Sequence, residues 1–541
     1  MSAATANDSD DDFRRGQQPM LASQRAKENK TPTEANRTGR IGGMFTLGYK
    51  DGFSQWWANV PAAVAEHKVM SFIPYLKKPP TQAQTGTKPP TETPLASDEP
   101  VTDETKTTAV KTTSNSDPFG PRQWDSKLVK LSGKNRALNE FSVERLEEET
   151  KQNIVMLHGY GAGLGFFYKN FEGLSRVPGW KVYALDLLGM GRSSRPPFRI
   201  RAKDRQASIT EAENWFIDAL EEWRIQKKIE RFTLLGHSLG GYMAVAYALK
   251  YPGHLNKLIL ASPVGIPEDP YAVNADMPEP PQSTLVNEVT QDQGEVVSGS
   301  NSSLSDGPKP GDNNNFLNAR SRAEKAGKAD DKTPPRKPLP KWLTYLWDAN
   351  ISPFSFVRWA GPLGPRFVSG WTSRRFSHLD PEEAQALHTY AYSLFKQRGS
   401  GEYALAYILA PGAFARSPLI RRIAGVGRQM ISRDGSTTSS LTATEQKREN
   451  GLPVVFMYGE NDWMDIAGGY DAEQKMKEEK EKLMRTASAE QKAQDEGSAK
   501  VMVIKRAGHH VYLDGWEEFN EVMREEMEEV SRREKRRLGV S

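Results

Sequence analysis

The chain has 541 residues, long enough for one large catalytic domain or several smaller ones, yet only 37% are hydrophobic and 35 prolines and 44 glycines are present, so part of the length is expected to be linker. With 73 basic against 69 acidic residues, a net charge of +4 gives no footing for nucleic acid as a partner. Cysteine is absent, which excludes disulfides, thiolate metal sites and a cysteine nucleophile and leaves Ser, Thr, Lys or a carboxylate for that role.

Residues 1–42 are polar without periodicity, and 77–120 are dense in Thr, Pro, Lys and Asp, so 1–123 reads as a largely disordered amino-terminal region. Asp8, Asp10, Asp11 and Asp12 are foreign to a transit peptide while Arg14, Arg15, Arg25, Arg37 and Arg40 suit one, which leaves organelle import open. No secretory stretch and no apolar run of membrane-crossing length is present, so a soluble or peripheral protein is expected. One apolar segment, 53–76, interrupts this region: Phe53, Trp56, Trp57, Val60, Ala63 and Val64 recur at helical spacing, followed by Phe72, Ile73, Tyr75 and Leu76. It fits either a helix packed on the main domain or an interfacial segment in a lipid headgroup layer, where tryptophan is at home.

From Trp124 onward short apolar runs alternate with helical stretches. The runs are Asn153 to Leu157, Lys181 to Leu185, Phe232 to Leu235, Leu258 to Leu260, Val454 to Tyr458 and Val501 to Ile504, and the helices include Ala212 to Trp223 and Tyr242 to Lys250. This predicts an α/β fold, a mostly parallel sheet covered by helices on both faces, built from 124–267 and 424–541. Residues 268–340 read as a disordered insertion, 341–423 as an aromatic-rich helical cap, and 433–448 and 471–499 as further polar or charged insertions.

The run Phe232 to Leu235 enters Gly236-His237-Ser238-Leu239-Gly240-Gly241 and then a helix, which gives G-x-S-x-G the strand-turn-helix setting of a nucleophile elbow. The sharp turn forces the serine backbone into strain that flanking glycines accommodate, and it lifts Ser238 above the sheet. The helix amino terminus favours developing negative charge there, with the Leu239 amide as one oxyanion donor. The loop His158-Gly159-Tyr160-Gly161-Ala162-Gly163 follows an early strand and is expected to supply the second donor from the Tyr160 amide. A dinucleotide fingerprint fails at this loop because its third glycine falls on Leu164, and Asp186 is read as structural.

His509 follows Gly508 after the last strand, so it can swing over the serine as its general base; its neighbour His510 is the alternative. His237 is expected to point away and pack, and His158, His254, His378 and His388 read as core or surface residues with no zinc spacing. The acid that orients His509 should stand on the turn after Val454 to Tyr458, where Glu460, Asp462 and Asp465 compete and Asp462 is best placed near the strand end.

This ordered set of His-Gly loop, Gly-His-Ser-Leu-Gly-Gly, Tyr-Gly-Glu-Asn-Asp-Trp-Met-Asp and Gly-His-His-Val-Tyr-Leu-Asp resembles one branch of the α/β-hydrolase superfamily. That branch holds lysophosphatidic acid acyltransferases, N-acyl-phospholipid lipases and fungal mitochondrial cardiolipin-specific deacylases. The resemblance covers 124–268 and 341–530 and implies a serine hydrolase or acyltransferase acting on phospholipid or lysophospholipid acyl esters, with cardiolipin deacylation in phospholipid remodelling included. It implies the triad Ser238, Asp462 and His509, no cofactor, and a mitochondrial site peripheral to a membrane, with cytoplasm or a lipid droplet surface as alternatives. Some members carry their aspartate at the position of Asp465, and others lack the serine and activate partner lipases from a lipid surface. The motif H-x-x-x-x-D, His509 to Asp514, implies acyl transfer to a lysolipid; the residues themselves favour Asp514 as a helix cap, since Glu517 stands three positions on.

Overall fold

In the computed structural model, which describes residues 47–80, 108–268, 349–410, 414–432 and 446–539, the apolar runs pair into one nine-stranded sheet. Two helices come first, α1 (Tyr49–Ala58) and α2 (Ala62–Met70). Strands β1 (Thr108–Lys111), β2 (Arg122–Lys130), β3 (Ala137–Arg145) and β4 (Gln152–Leu157) lead to α3 (Tyr168–Leu174). Then come β5 (Trp180–Leu185), α4 (Arg205–Gln226), β6 (Phe232–His237), α5 (Leu239–Lys250) and β7 (Leu255–Ala261). The cap is made of α6 (Pro353–Trp359), α7 (Gly364–Arg375), α8 (Pro381–Phe395) and α9 (Leu405–Ile408). A small antiparallel pair, β8 (Met430–Ser432) and β9 (Gln446–Arg448), precedes β10 (Pro453–Gly459), α10 (Ile466–Thr486), α11 (Ala489–Gln494), β11 (Ser498–Ile504), α12 (Val511–Asp514) and α13 (Trp516–Leu538).

The strand order is β1-β2-β3-β5-β4-β6-β7-β10-β11; β1, β2 and β3 run antiparallel to their neighbours, and from β5 onward all pairings are parallel. The central strands are apolar on both faces because helices cover both. Alternate residues feed two cores: Val155, Leu157, Leu234, Leu258, Val454 and Phe456 pack under α4 and α5, while Ile154, Met156, Leu235, Ile259, Val455 and Met457 meet α3, α13, α2 and the cap. All chain crossovers that bear chemistry leave the carboxyl ends of the parallel strands, so β4, β6, β10 and β11 deliver their loops to one edge of the sheet.

Several expectations change. The expected disordered stretch 77–120 includes β1, paired to β2 from Thr108↔Ser126 to Lys111↔Gln123, and the buried Asp117, held by Arg122 Nε at 3.0 Å. Thr-rich composition hid an edge strand whose partner lies just downstream, so the sheet begins ahead of residue 124. The charged stretch 471–499 is no insertion: α10 and α11 form the crossover between β10 and β11, with Ile466, Gly468, Gly469 and Ala472 buried and the charges turned outward. The segment 53–76 is two helices broken at Asn59, which takes φ 43°, and Pro61. Expectations for 1–42, 81–107, 269–340 and 433–445 lie outside the described residues.

Candidate active site

Ser238 sits between β6 and α5 with φ 53° and ψ −116°, a strained backbone for a residue with a side chain. The strain is held by surrounding bonds: the Ser238 amide donates to the Ala261 carbonyl (3.0 Å), and its own carbonyl accepts from the amides of Gly241 (2.9 Å) and Tyr242 (3.1 Å). Glycine is required on both sides. A Cβ at Gly236 would collide with the Gly240 carbonyl, and one at Gly240 would lie 2.6 Å from the Leu157 carbonyl oxygen. Leu239 is the first residue of α5, so its amide lies at the helix amino terminus with no intrahelical acceptor.

The loop after β4 passes directly over this turn. A Cβ at Gly159 would lie 3.0 Å from Ser238 Cβ, so glycine permits the close approach that carries Tyr160 past the serine. His158 anchors the loop: its Nδ1 donates to the Gly159 carbonyl (2.7 Å) and its Nε2 accepts from the Leu187 amide (3.0 Å). Burial pushes its pKa down to about 4, which keeps it neutral for that pair of bonds. Asp186, also buried, accepts from the amides of Leu164 and Arg192 (both 2.7 Å) and from Asn139 Nδ2 (2.8 Å), a structural carboxylate. The cap closes over the loop through stacked rings, Tyr160 on Phe354 (5.0 Å) and Phe354 on Phe395 (4.3 Å).

His509 and Ser238 line one cavity together with Tyr160, Leu239, His237 and His510, and the apolar walls come from Val264, Trp371, Leu405, Leu409 and Trp463. Behind His509, Asp462 Oδ1 lies 3.2 Å from its Nδ1 and also accepts from the Met464 amide (3.0 Å). Asp465 is elsewhere, capping α10 through the Ala467 amide (3.0 Å), and Glu460 accepts from the Arg506 amide (2.9 Å) at the surface. The three competing carboxylates thus separate by location, and Asp462 is the one seen hydrogen-bonded to the histidine.

Two sequence readings are corrected here. His237 does not simply pack away from the site: its Nε2 donates to the His509 carbonyl (3.0 Å), and burial holds its pKa well below the usual histidine range. Asp514 is not a helix cap, for α13 starts from Gly515 with no side-chain cap; the carboxylate instead accepts from the Gly508 amide (3.0 Å) and faces His378 Nε2 at 3.3 Å. His510, buried among Phe166, His237 and Tyr512, has its pKa pushed well down by burial. Sequence reasoning assigned no place in the site to Trp463, and it placed Trp371 in the aromatic cap without singling it out as a wall of the cavity. Adjacency to Asp462 would have flagged the first, whereas the second comes from cap helix α7, about 130 residues from the elbow, and carries no local signal.

Comparison with known proteins follows the same lines. The family described as the alpha/beta hydrolase fold matches residues 152–515. A 1-acylglycerol-3-phosphate O-acyltransferase of Arabidopsis thaliana is 33% identical over 64% of this chain, which spans 63% of that protein's length. A 1-acylglycerol-3-phosphate O-acyltransferase of Mus musculus is 27% identical over 75% of this chain and 85% of its own. A (lyso)-N-acylphosphatidylethanolamine lipase of Homo sapiens is 27% identical over 70% of this chain and 80% of its own.

Proposed function

Since the chain belongs to the α/β-hydrolase family, we propose that it is a serine-dependent enzyme that hydrolyses or transfers acyl groups of phospholipids or lysophospholipids. The observation that carries this reading is the single cavity lined by Ser238 and His509, with Asp462 3.2 Å behind the histidine. His509 takes the Ser238 hydroxyl proton as Oγ attacks the acyl carbonyl, then returns it to the departing lysolipid oxygen. Water or a lysolipid hydroxyl, deprotonated by His509, releases the acyl group from the serine. The amides of Leu239 and Tyr160 hold the oxyanion in each half, and Asp462 keeps the imidazole oriented and stabilises its charged form.

The apolar walls of the cavity support a long acyl chain, and the names of the three relatives support a glycerophospholipid-type substrate. Within that class the reading extends to cardiolipin at a mitochondrial membrane. Lipid analysis of mitochondria from cells lacking the protein tests this: unchanged cardiolipin acyl chains would remove cardiolipin from the proposal. Peripheral membrane attachment is part of the same reading, supported by exposed aromatic side chains: Trp57 of α1 and Trp359 of α6 are 73% and 69% accessible. Among the described residues no helix is long and apolar enough to cross a membrane.

The test is turnover of a long-chain lysophospholipid by the purified full chain and by Ser238→Ala. Loss of at least about 10³-fold activity in a folded variant is expected. Equal turnover by both proteins would end the serine reading. These exposed aromatics also favour a second reading, a lipid-surface protein that activates a partner lipase; it would be supported if pure protein were inactive yet raised a partner's rate regardless of Ser238.

A further inference from the structure

The family resemblance implies that His509 and Asp514 of H-x-x-x-x-D act together on an acyl acceptor, but their side chains meet different things. Asp514 ends α12 with a side chain only 4% accessible, and it turns back under the loop that carries the histidine. Its Oδ2 accepts from the Gly508 amide at 3.0 Å, and a Cβ at Gly508 would lie 3.0 Å from that same oxygen, so carboxylate and backbone are in direct contact. Its Oδ1 faces Nε2 of His378, 7% accessible, in the cap turn between α7 and α8. His509 and His510 line the cavity; Asp514 does not.

His509 is therefore gripped at three points from three parts of the chain. Asp462 holds its Nδ1, His237 Nε2 holds its carbonyl (3.0 Å), and Asp514 holds the amide of Gly508, one residue earlier in the loop. The ring of a histidine on a loop drifts through its own φ and ψ and those of its neighbours, and bonds to the peptide group after His509 and to the one ahead of Gly508 narrow that freedom. We infer that Asp514 is a positioning residue, which fixes the His509 loop through the Gly508 amide and ties that loop to the cap through His378. A carboxylate spent on the backbone and the cap, outside the cavity, has no access to a lysolipid hydroxyl within it. Hydrolysis and transfer both use His509, so both depend on Asp514 to the same degree.

This inference rests on Ser238 as nucleophile, and a fluorophosphonate probe that phosphonylates activated serines keeps the two questions apart. Full-length Asp514→Ala, Asp514→Asn and His378→Ala are compared with the unmodified protein for labelling rate at Ser238, for kcat and KM of lysophospholipid hydrolysis, and for the ratio of acyl groups passed to lysophosphatidate or to water. Asp514→Ala is expected to lower kcat and labelling rate together by about 10- to 100-fold with KM within about twofold and an unchanged transfer ratio. Asp514→Asn, which keeps an oxygen for the Gly508 amide, should recover most of the loss, and His378→Ala should fall between them. If Asp514→Ala cannot be obtained folded, the order of the other two against the unmodified protein decides. Selective loss of transfer with hydrolysis and labelling intact would overturn the inference and return Asp514 to the acceptor. Labelling unaffected by any variant would overturn it while leaving Ser238 in place, whereas no labelling of the unmodified protein would end the serine reading and this inference with it.

Discussion

Asp462 and Asp465 stand three residues apart, and the side chain of each has a different acceptor task. Asp462 is fully buried against His509, so Asp462→Asn replaces the oxygen that fixes the imidazole tautomer with a group able to present the wrong partner. A fall in kcat of about 10³- to 10⁴-fold with unchanged folding is expected from steady-state kinetics. Asp465 accepts from the Ala467 amide at the start of α10, so Asp465→Ala should cost about 1 kcal/mol in denaturant unfolding and leave kcat within a few-fold. The reverse ranking would move the acid to Asp465. At this scale the chemistry depends on which atom reaches which, and three residues of chain displacement are enough to exchange a carboxylate that meets His509 for one that caps a helix.

The elbow between β6 and α5 shows what one element demands of its neighbours. Gly240 leaves no room for a Cβ beside the Leu157 carbonyl, so Gly240→Ala must shift either the turn or β4. Circular dichroism melts should show strong destabilisation, and any folded fraction should have lost esterase activity; a stable, active variant would mean the turn is not under the strain its φ of 53° at Ser238 indicates. Helix α8 carries a pH-dependent counterpart. His388 donates from Nε2 to Gln55 Oε1 (2.9 Å) on α1 and accepts at Nδ1 from Thr372 (2.7 Å), and burial pushes its pKa down to about 4. Its unfolded value is about 6.5, so the unfolded chain takes up the proton first. The stability it contributes is complete above pH about 6.5 and is lost as pH falls through about 4, on the order of 3 kcal/mol in all. Replacing it by His388→Gln should flatten the fall of Tm between pH 6.5 and 4 relative to the unmodified protein. An identical slope would show that the histidine is not held neutral in the folded state.

Across the whole molecule the amino-terminal helices join the sheet and the cap. Helix α2 buries Ala62, Ala65, Val69 and Met70 in the core that also receives α13, and its Glu66 is buried with Arg192, Asn139 Nδ2 (3.3 Å) and the Tyr390 hydroxyl (3.2 Å). Tyr390 in turn accepts from the Gly165 amide (3.3 Å), close behind the loop that passes over Ser238. Removal of residues 1–80 would therefore expose core and strip a buried network, and loss of both stability and activity is the expected result. A finer probe of membrane attachment leaves α2 in place. Phe53 and Trp57 of α1 stack on each other at 6.1 Å and stand exposed, so Phe53→Ser with Trp57→Ser should leave Tm nearly unchanged and weaken co-sedimentation with phospholipid vesicles. Undiminished vesicle binding would remove α1 from the proposed membrane face.

What the sequence by itself determined is local. Strand runs of Val, Ile and Leu, the glycines beside Ser238 and the Gly-His pair after β11 act through backbone sterics and periodicity within a few residues, so they can be read one segment at a time. Tertiary structure decided the partners. His237 reaches His509 across 272 residues, Asp514 meets His378 across 136, and Glu66 meets Tyr390 across 324, and no short-range pattern encodes such pairings. The same reason explains β1, a short segment of a Thr-rich stretch that becomes a strand because β2 offers it an edge, and α10, whose charges conceal a narrow buried face until β10 and β11 are packed beneath it. Short-range sterics fix the conformation of a turn, but the assignment of a buried carboxylate or histidine depends on what the folded chain brings within hydrogen-bond reach, which composition and spacing leave open.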